Sequence, residues 1–191
     1  MCSNLDDEQG PPLLSRRSLL SGAIAGLVGA AWSRAAFGSD LPATRTLWVH
    51  HGSTREAGTA TYMVNGRYDE GALAALDWFM RDWRENQMVQ MDRRIYDVLW
   101  VIQQTFPSGW PIVVTSGYRS PRTNARLAEV IPGVAKNSLH LKALAIDFYV
   151  PARGIEEVSR YLHAWNFGGI GIYRRHLHVD VGLPGRRWVR V

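Results

Sequence analysis

The sequence contains a single cysteine, Cys2, and this feature most restricts what the chain can fold into. No disulfide can form within the chain, and a zinc module built from several cysteines is excluded. Any metal site must therefore use histidine and carboxylate ligands. Hydrophobic residues make up 46% and charged residues 20% of the 191 positions, which is typical of a globular protein. This length predicts one domain with an additional segment.

The formal net charge of +5 comes from the part of the chain after residue 38. Residues 1–38 hold three arginines and three acidic residues, which leaves 19 of the 22 basic and 14 of the 17 acidic residues for the remainder. The arginines are scattered among acids without a long basic run, so nucleic-acid binding is not indicated. A weakly basic surface suits an anionic polymer, including one that carries carboxylates.

Two adjacent arginines, Arg16 and Arg17, stand directly before a weakly apolar run over residues 19–32. As a helix this run would span about 21 Å, which is shorter than the ~30 Å hydrocarbon core of a bilayer. Ala36-Phe37-Gly38 then has the small-x-small form of a signal cleavage site. A short amphipathic or core helix and an uncleaved membrane anchor are the alternatives.

The Ser-Arg-Arg-Ser-Leu-Leu run over residues 15–20 resembles a twin-arginine export signal. The resemblance implies that the twin-arginine translocase exports the folded protein to the periplasm, with no stable membrane span after cleavage. We therefore predict a signal peptide over residues 1–38 and a mature domain over residues 39–191.

Hydrophobic periodicity after the signal predicts four helices and six strands. Asp69 and Asp92 are predicted N-caps, and Pro121 is predicted in the first turn of a helix. The predicted helices cover residues 69–82, 92–105, 121–129 and 154–165, and the predicted strands cover residues 46–50, 59–64, 112–115, 143–150, 168–173 and 177–182. Since helices come mainly first and strands mainly last, we predict an α+β fold in which helices pack on a small antiparallel sheet.

His176 and His178 are two residues apart in a strand-like stretch, so both side chains are expected to point to the same face. Asp180 follows on that face. A pair of surface imidazoles is the alternative interpretation, because such a spacing arises readily by chance in a chain with six histidines.

His140 stands before another predicted strand, and Asp147 lies seven residues later within it. Ile146 and Phe148 flank Asp147, and an ionised carboxylate among apolar neighbours is costly unless it is paired. It either pairs with a nearby arginine or binds a metal. Two histidines, one aspartate and an open position for water match a catalytic zinc site, where the metal would polarise a substrate carbonyl and activate water.

Four motifs follow one another along the chain. They are the run over residues 114–121 with Asn124 and Leu127, Ser138-x-His140 with Ala145-x-Asp147, the run over residues 168–173 leading to residues 178–182, and Arg187-Trp188. Together they resemble the zinc D-alanyl-D-alanine metallopeptidase superfamily, of the lysostaphin and hedgehog clan, and most closely its murein endopeptidases. The resemblance covers roughly residues 45–191. It implies a zinc metallopeptidase domain in which His140, Asp147 and His178 bind the zinc ion.

The resemblance also implies roles for three further residues. Arg119 would hold a substrate carboxylate or stabilise the oxyanion, and Ser138 would bind substrate; a surface arginine and a simple loop cap are the alternatives. Where some relatives carry a glutamate as general base, this chain has Arg175, so His176 is the first candidate for the base and the metal alone is the second. Ala143 occupies a position where the family usually has glycine, and a positive φ there would strain alanine.

The other conspicuous side chains are predicted to be structural or solvated. His50 and His51 are expected in solvent at a hairpin end, and His163 is expected to be structural. The tryptophans predicted to lie in the core are Trp78, Trp83, Trp100 and Trp165, while Trp188 is expected to form a wall of the site. Arg186 and Arg187 contact either an anionic glycan or solvent.

We therefore predict an exported zinc metallopeptidase, a murein endopeptidase that hydrolyses peptide cross-links of peptidoglycan through a zinc-activated water. A carboxypeptidase that trims stem peptides is the second hypothesis. A catalytically inactive peptidoglycan-binding module is the third. The sequence leaves open whether the link from D-alanine to diaminopimelate or that between two diaminopimelates is cleaved.

Overall fold

A computed structural model describes residues 42–164 and 168–190, so the predicted signal peptide and Trp165 lie outside the described residues. Eight strands form one sheet in the order β3-β2-β1-β4-β5-β7-β6-β8. The strands are β1 (Arg45–His51), β2 (Ala57–Val64), β3 (Arg67–Tyr68), β4 (Ile112–Ser116), β5 (Ala145–Tyr149), β6 (Ile170–Tyr173), β7 (Leu177–Asp180) and β8 (Arg187–Arg190).

Four helices pack on this sheet, and their ends follow local sequence signals. The helices are α1 (Glu70–Phe79), α2 (Arg93–Thr105), α3 (Pro121–Val130) and α4 (Ile155–His163). Asp69 accepts a hydrogen bond from the Ala72 amide at 2.8 Å and Asp92 accepts one from the Arg94 amide at 3.0 Å, as expected of N-caps. None of the four helices in this part of the chain has the length and apolar character that a membrane-crossing segment requires.

The α+β class and the single domain are confirmed, while the sheet is larger and more varied than predicted. Five strand pairs are antiparallel, but β1 pairs with β4 and β6 pairs with β8 in parallel. The β1–β4 pair is parallel because α1 and α2 lie between these strands and return the chain to the same end of the sheet. β3 and β8 were not predicted, because each is short and is stabilised by a neighbouring strand.

The register of β5 against β7 separates the core from the candidate site. Ile146 pairs with Val179 and Phe148 pairs with Leu177, and these four side chains are buried in the hydrophobic core. Successive side chains of a strand alternate between faces, so the pair between them, Asp147 with His178, projects from the opposite face.

Residues 139–142, which were expected to lead directly into a strand, instead form a short 3-10 helix, Leu139–Lys142. Ser138 is its N-cap, and Ala143 ends it in the left-handed conformation, at φ 55° and ψ 30°. This turn brings His140 back over the face of β5 that carries Asp147.

Candidate metal centre and active site

Three predicted ligands, His140, Asp147 and His178, lie together and are all buried. His140 Nε2 is 3.2 Å from both Asp147 Oδ1 and His178 Nδ1, and His178 Nδ1 is 2.9 Å from the same carboxylate oxygen. Three donor atoms on two strands and a 3-10 helix therefore converge on one point, although the residues are far apart in sequence.

His140 is fixed by the loop that follows β4. Its Nδ1 donates to the carbonyl oxygen of Gly117 at 2.7 Å, so the lone pair of Nε2 faces the cluster. Gly117 has to be glycine for a steric reason, because an added Cβ would overlap with the carbonyl oxygen of Met80. The Tyr118 amide donates to this same carbonyl at 2.8 Å, which holds the loop against the end of α1.

His178 is oriented by a second carboxylate, that of Asp180. His178 Nε2 donates to Asp180 Oδ2 at 3.3 Å, which leaves Nδ1 to face the cluster. The other oxygen, Oδ1, accepts from Gly169 and Gly182 amides at 3.0 and 2.9 Å and from Arg186 Nη2 at 2.6 Å. Asp180 is 0% exposed, and these donors compensate for burying its charge.

Arg119 contacts the third ligand from the other side. Its Nη2 donates to Asp147 Oδ2, and its Nε donates to Ser116 Oγ at 2.8 Å. Asp147 therefore pairs with an arginine through Oδ2 and lies against the two histidines through Oδ1. Both alternatives for this carboxylate are thus present together.

The charges of His140 and Asp147 suit metal binding. Burial lowers the pKa of His140, so its ring is neutral. Burial alone would raise the pKa of Asp147, but the surrounding histidines and Arg119 hold this pKa well below its ordinary value, and the carboxylate is ionised. Although burial also lowers the pKa of His178, the carboxylates of Asp147 and Asp180 outweigh it and raise this pKa.

The donor set fits a divalent metal ion. Two imidazole nitrogens and one carboxylate oxygen are ligands that zinc prefers, and separations of 2.9–3.2 Å are close to the ~3.3 Å expected between ligands with bonds of 2.0–2.1 Å. Each histidine also has the outer hydrogen bond that orients metal-binding imidazoles.

A cleft of about 380 Å³ opens directly onto these three side chains. The His176 ring lines it and stacks on Tyr173 with centroids 4.5 Å apart. Trp188 forms an adjacent wall, with its ring 5.2 Å from that of His178 and its indole N–H donating to Tyr173 Oη at 3.1 Å. Within the described residues, neither ring nitrogen of His176 has a hydrogen-bond partner.

Residues 40–188 match the sequence model of the family described as peptidoglycan L,D-endopeptidase MepK. The chain belongs to this peptidase family. The predicted metallopeptidase superfamily and the prediction of an enzyme are thereby confirmed.

Two relatives illustrate how much of the chain the MepK family likeness covers. The peptidoglycan L,D-endopeptidase MepK of Escherichia coli K12 is 32% identical over 177 residues, which are 91% of this chain and 97% of that protein. The probable peptidoglycan L,D-endopeptidase MepK of Haemophilus influenzae is 34% identical over 150 residues, or 77% of this chain and 80% of that protein.

In this MepK-family chain the other predicted site residues surround the three-residue cluster. Arg119, Ser138 and His176 all line the cleft. Ser138 also accepts a hydrogen bond from the His140 amide at 3.3 Å, so it caps the 3-10 helix. Their roles in binding and catalysis stay predictions.

Sequence reasoning missed or misjudged four residues of the MepK-family fold, one of which is Trp83, predicted to lie in the core but 37% exposed. Tyr173, which stacks on His176, lies directly across a tight hairpin from it. A hairpin through Arg174 and Arg175 would have predicted that these two side chains are neighbours. Arg190 lies on β8, which was not predicted. The expectation that His51 is solvated was wrong: it is 1% exposed, because β4 pairs alongside it.

Proposed function

We propose that this chain is an exported zinc endopeptidase that hydrolyses peptide cross-links of peptidoglycan at the L,D bond between two diaminopimelate residues. The observation that carries the proposal is the convergence of His140, Asp147 and His178 at the floor of an open cleft. The names of the MepK relatives supply the bond type, since both include L,D-endopeptidase activity.

The three converging side chains would hold the zinc ion, which when bound supplies Lewis-acid polarisation of the scissile carbonyl and lowers the pKa of water toward about 7. His176 takes the proton of the attacking water and returns it to the departing amine, so the amide C–N bond is replaced by a carboxyl group and an amine. Support for this role comes from its place in the cleft and its stacking on Tyr173, which fixes the ring.

Arg119 and Ser138 act on the substrate in this proposal. One edge of the Arg119 guanidinium contacts Ser116 and Asp147, while Nη1 has no partner among the described residues. Nη1 therefore donates to the oxyanion that forms on the scissile carbonyl. Ser138 lines the cleft, and its hydroxyl would bind a substrate amide there.

The reaction is tested by digesting purified, cross-linked muropeptide dimers and identifying the fragments by mass spectrometry. An endopeptidase converts dimers into monomers, and a chelator abolishes the conversion until zinc is restored. Release of terminal residues with the dimers left intact would instead identify a carboxypeptidase. Binding of zinc and of sacculi without any product would identify an inactive binding module.

The division of roles is tested with three variants. His178→Ala should lose metal and activity together. His176→Ala should keep the metal, as shown by metal analysis, and lower kcat by about 10²–10⁴-fold. His163→Ala is the matched control, because His163 is exposed on α4. Full activity in His176→Ala would reassign the base.

We also propose that residues 1–38 are a twin-arginine signal peptide and that the zinc metallopeptidase domain, residues 39–191, acts in the periplasm. Support comes from Arg16 and Arg17, which stand immediately before an apolar run. A fusion of residues 1–38 to a folded reporter should be exported, and changing both arginines to lysine should block export. Undiminished delivery of the lysine variant would contradict the proposal.

A further inference from the structure

Among the described residues, the charged side chains of the cleft leave one cation, Arg190, without a partner. Three arginines and two aspartates line it: Arg119, Arg186, Arg190, Asp147 and Asp180. Arg119 pairs with Asp147, and Arg186 pairs with Asp180. Over residues 42–164 and 168–190, the Arg190 guanidinium has no hydrogen-bond or ion-pair partner. Within this part of the chain no acceptor occupies either donor edge, so the guanidinium can bind an anion.

Arg190 lies on the same face of the sheet as the candidate metal ligands but at some distance from them. His178 pairs with Gly171, Gly171 pairs with Trp188, and Arg190 is two residues beyond Trp188 on the edge strand β8. Two strand spacings and two residue rises place the Cα atoms of His178 and Arg190 about 12 Å apart. The backbone of Arg190 is thus well separated from that of the candidate metal ligands.

The opposite wall of the cleft leaves room for the Arg190 side chain. Gly133, in the loop between α3 and the 3-10 helix, has φ +88°, and a Cβ added there would overlap with the Arg190 guanidinium. The guanidinium therefore reaches from β8 to this loop and places a positive charge on the lining of the cleft.

We propose that Arg190 binds the distal carboxylate of the diaminopimelate on the acyl side of the scissile bond. This inference rests on the proposed function. Diaminopimelate that contributes its L-centre carbonyl to a cross-link keeps a free carboxylate at its D-centre, at the other end of the side chain. The planar guanidinium matches this carboxylate in a two-point contact.

Other carboxylates of the substrate fit this position less well. The carboxylate on the amine side belongs to the carbon bonded to the scissile nitrogen, so it stays near the metal ligands. D-Alanine on the acyl side presents only a methyl group. Arg190 therefore selects links between two diaminopimelates over links from D-alanine to diaminopimelate.

The test compares two cross-linked dimers that differ only in whether this distal carboxyl group is free or is a carboxamide. Arg190→Ala should lower kcat/KM for the free acid about tenfold, mainly through KM, and leave kcat/KM for the amide unchanged. Arg190→Lys should lose less. Arg67→Ala, which removes an exposed arginine from the opposite edge of the sheet, is the control of equal charge. An equal loss on both dimers would overturn the inference.

A binding measurement separates this inference from the proposed function. Calorimetry with the stem tripeptide ending in diaminopimelate, and with its distal amide, needs no turnover. If the wild-type protein binds the acid more tightly than the amide, and Arg190→Ala does not, the carboxylate site is supported. This holds even if neither dimer is cleaved, since the absence of cleavage would refute only the proposed function. Equal binding of acid and amide to the wild type refutes the site.

Discussion

His51 should make the folded protein sensitive to mild acid. Its Nδ1 accepts from the Ser53 and Thr54 amides at 3.2 and 3.3 Å, its ring packs edge-on against Phe79, and Nε2 has no partner among the described residues. Burial, opposed by Glu56, lowers its pKa to about 4 from 6.5. The neutral ring is therefore the form that the fold accommodates.

The pH window follows from the direction of this shift. As the pH falls below 6.5, the unfolded chain binds a proton at His51 before the folded chain does, so stability is lost until the pH reaches about 4. A shift from 6.5 to about 4 corresponds to about 3 kcal/mol in all, of which about 2 kcal/mol is lost between pH 7 and pH 4.5.

Urea unfolding of the metal-free protein at pH 7 and pH 4.5, followed by circular dichroism, measures this loss. Other groups also titrate in this range, so the comparison is with His51→Asn, whose side-chain oxygen can accept from the same two amides but does not titrate. The wild type should lose about 2 kcal/mol more than the variant. Equal losses would show that the pKa of His51 is not lowered in the folded protein, which would refute the prediction.

Three further predictions concern the support of the site. Ala143→Gly should raise the free energy of unfolding by about 1 kcal/mol, because Ala143 has φ 55°; an unchanged urea midpoint would contradict this. Asp180→Asn should weaken metal binding about 10–100-fold in competition with a chromogenic chelator, and wild-type affinity would argue against the orienting role. Gly117→Ala should destabilise by about 1–3 kcal/mol through overlap with Met80, so an unaltered Tm would refute that steric argument.

The elements that the sequence predicted well are those determined by neighbouring residues. Asp69, Asp92 and Pro121 mark helix starts because capping depends on the backbone a few residues away. Local residues also determine the turn between β2 and β3, where Asn65 and Gly66 both have positive φ, as a tight hairpin requires.

The elements that escaped prediction depend on contacts distant in sequence. β8 is a strand because β6 pairs with it in parallel, and no local pattern indicates that pairing. His51 is buried because β4, more than sixty residues later, lies beside β1. At the site, alternation alone placed His176 and His178 on one face, but the approach of His140 requires the 3-10 turn.

In the proposed reaction, Arg119 and Arg190 bind different negative charges of the substrate, the oxyanion and the distal carboxylate. Arg119 donates through Nη2 to Asp147 and through Nε to Ser116. If Arg119 moved toward a substrate carboxylate, it would break its hydrogen bond to Oδ2 of Asp147, a candidate metal ligand. Arg119 is therefore better suited to a donor role beside the scissile carbonyl, where it need not move. The guanidinium of Arg190 is not hydrogen-bonded to any of the described residues. The side chain can therefore move to bind an anionic substrate without disturbing the candidate metal ligands. This separation predicts that truncating Arg119 affects metal affinity and kcat, whereas truncating Arg190 affects mainly KM. Measuring all three quantities in both variants distinguishes the roles.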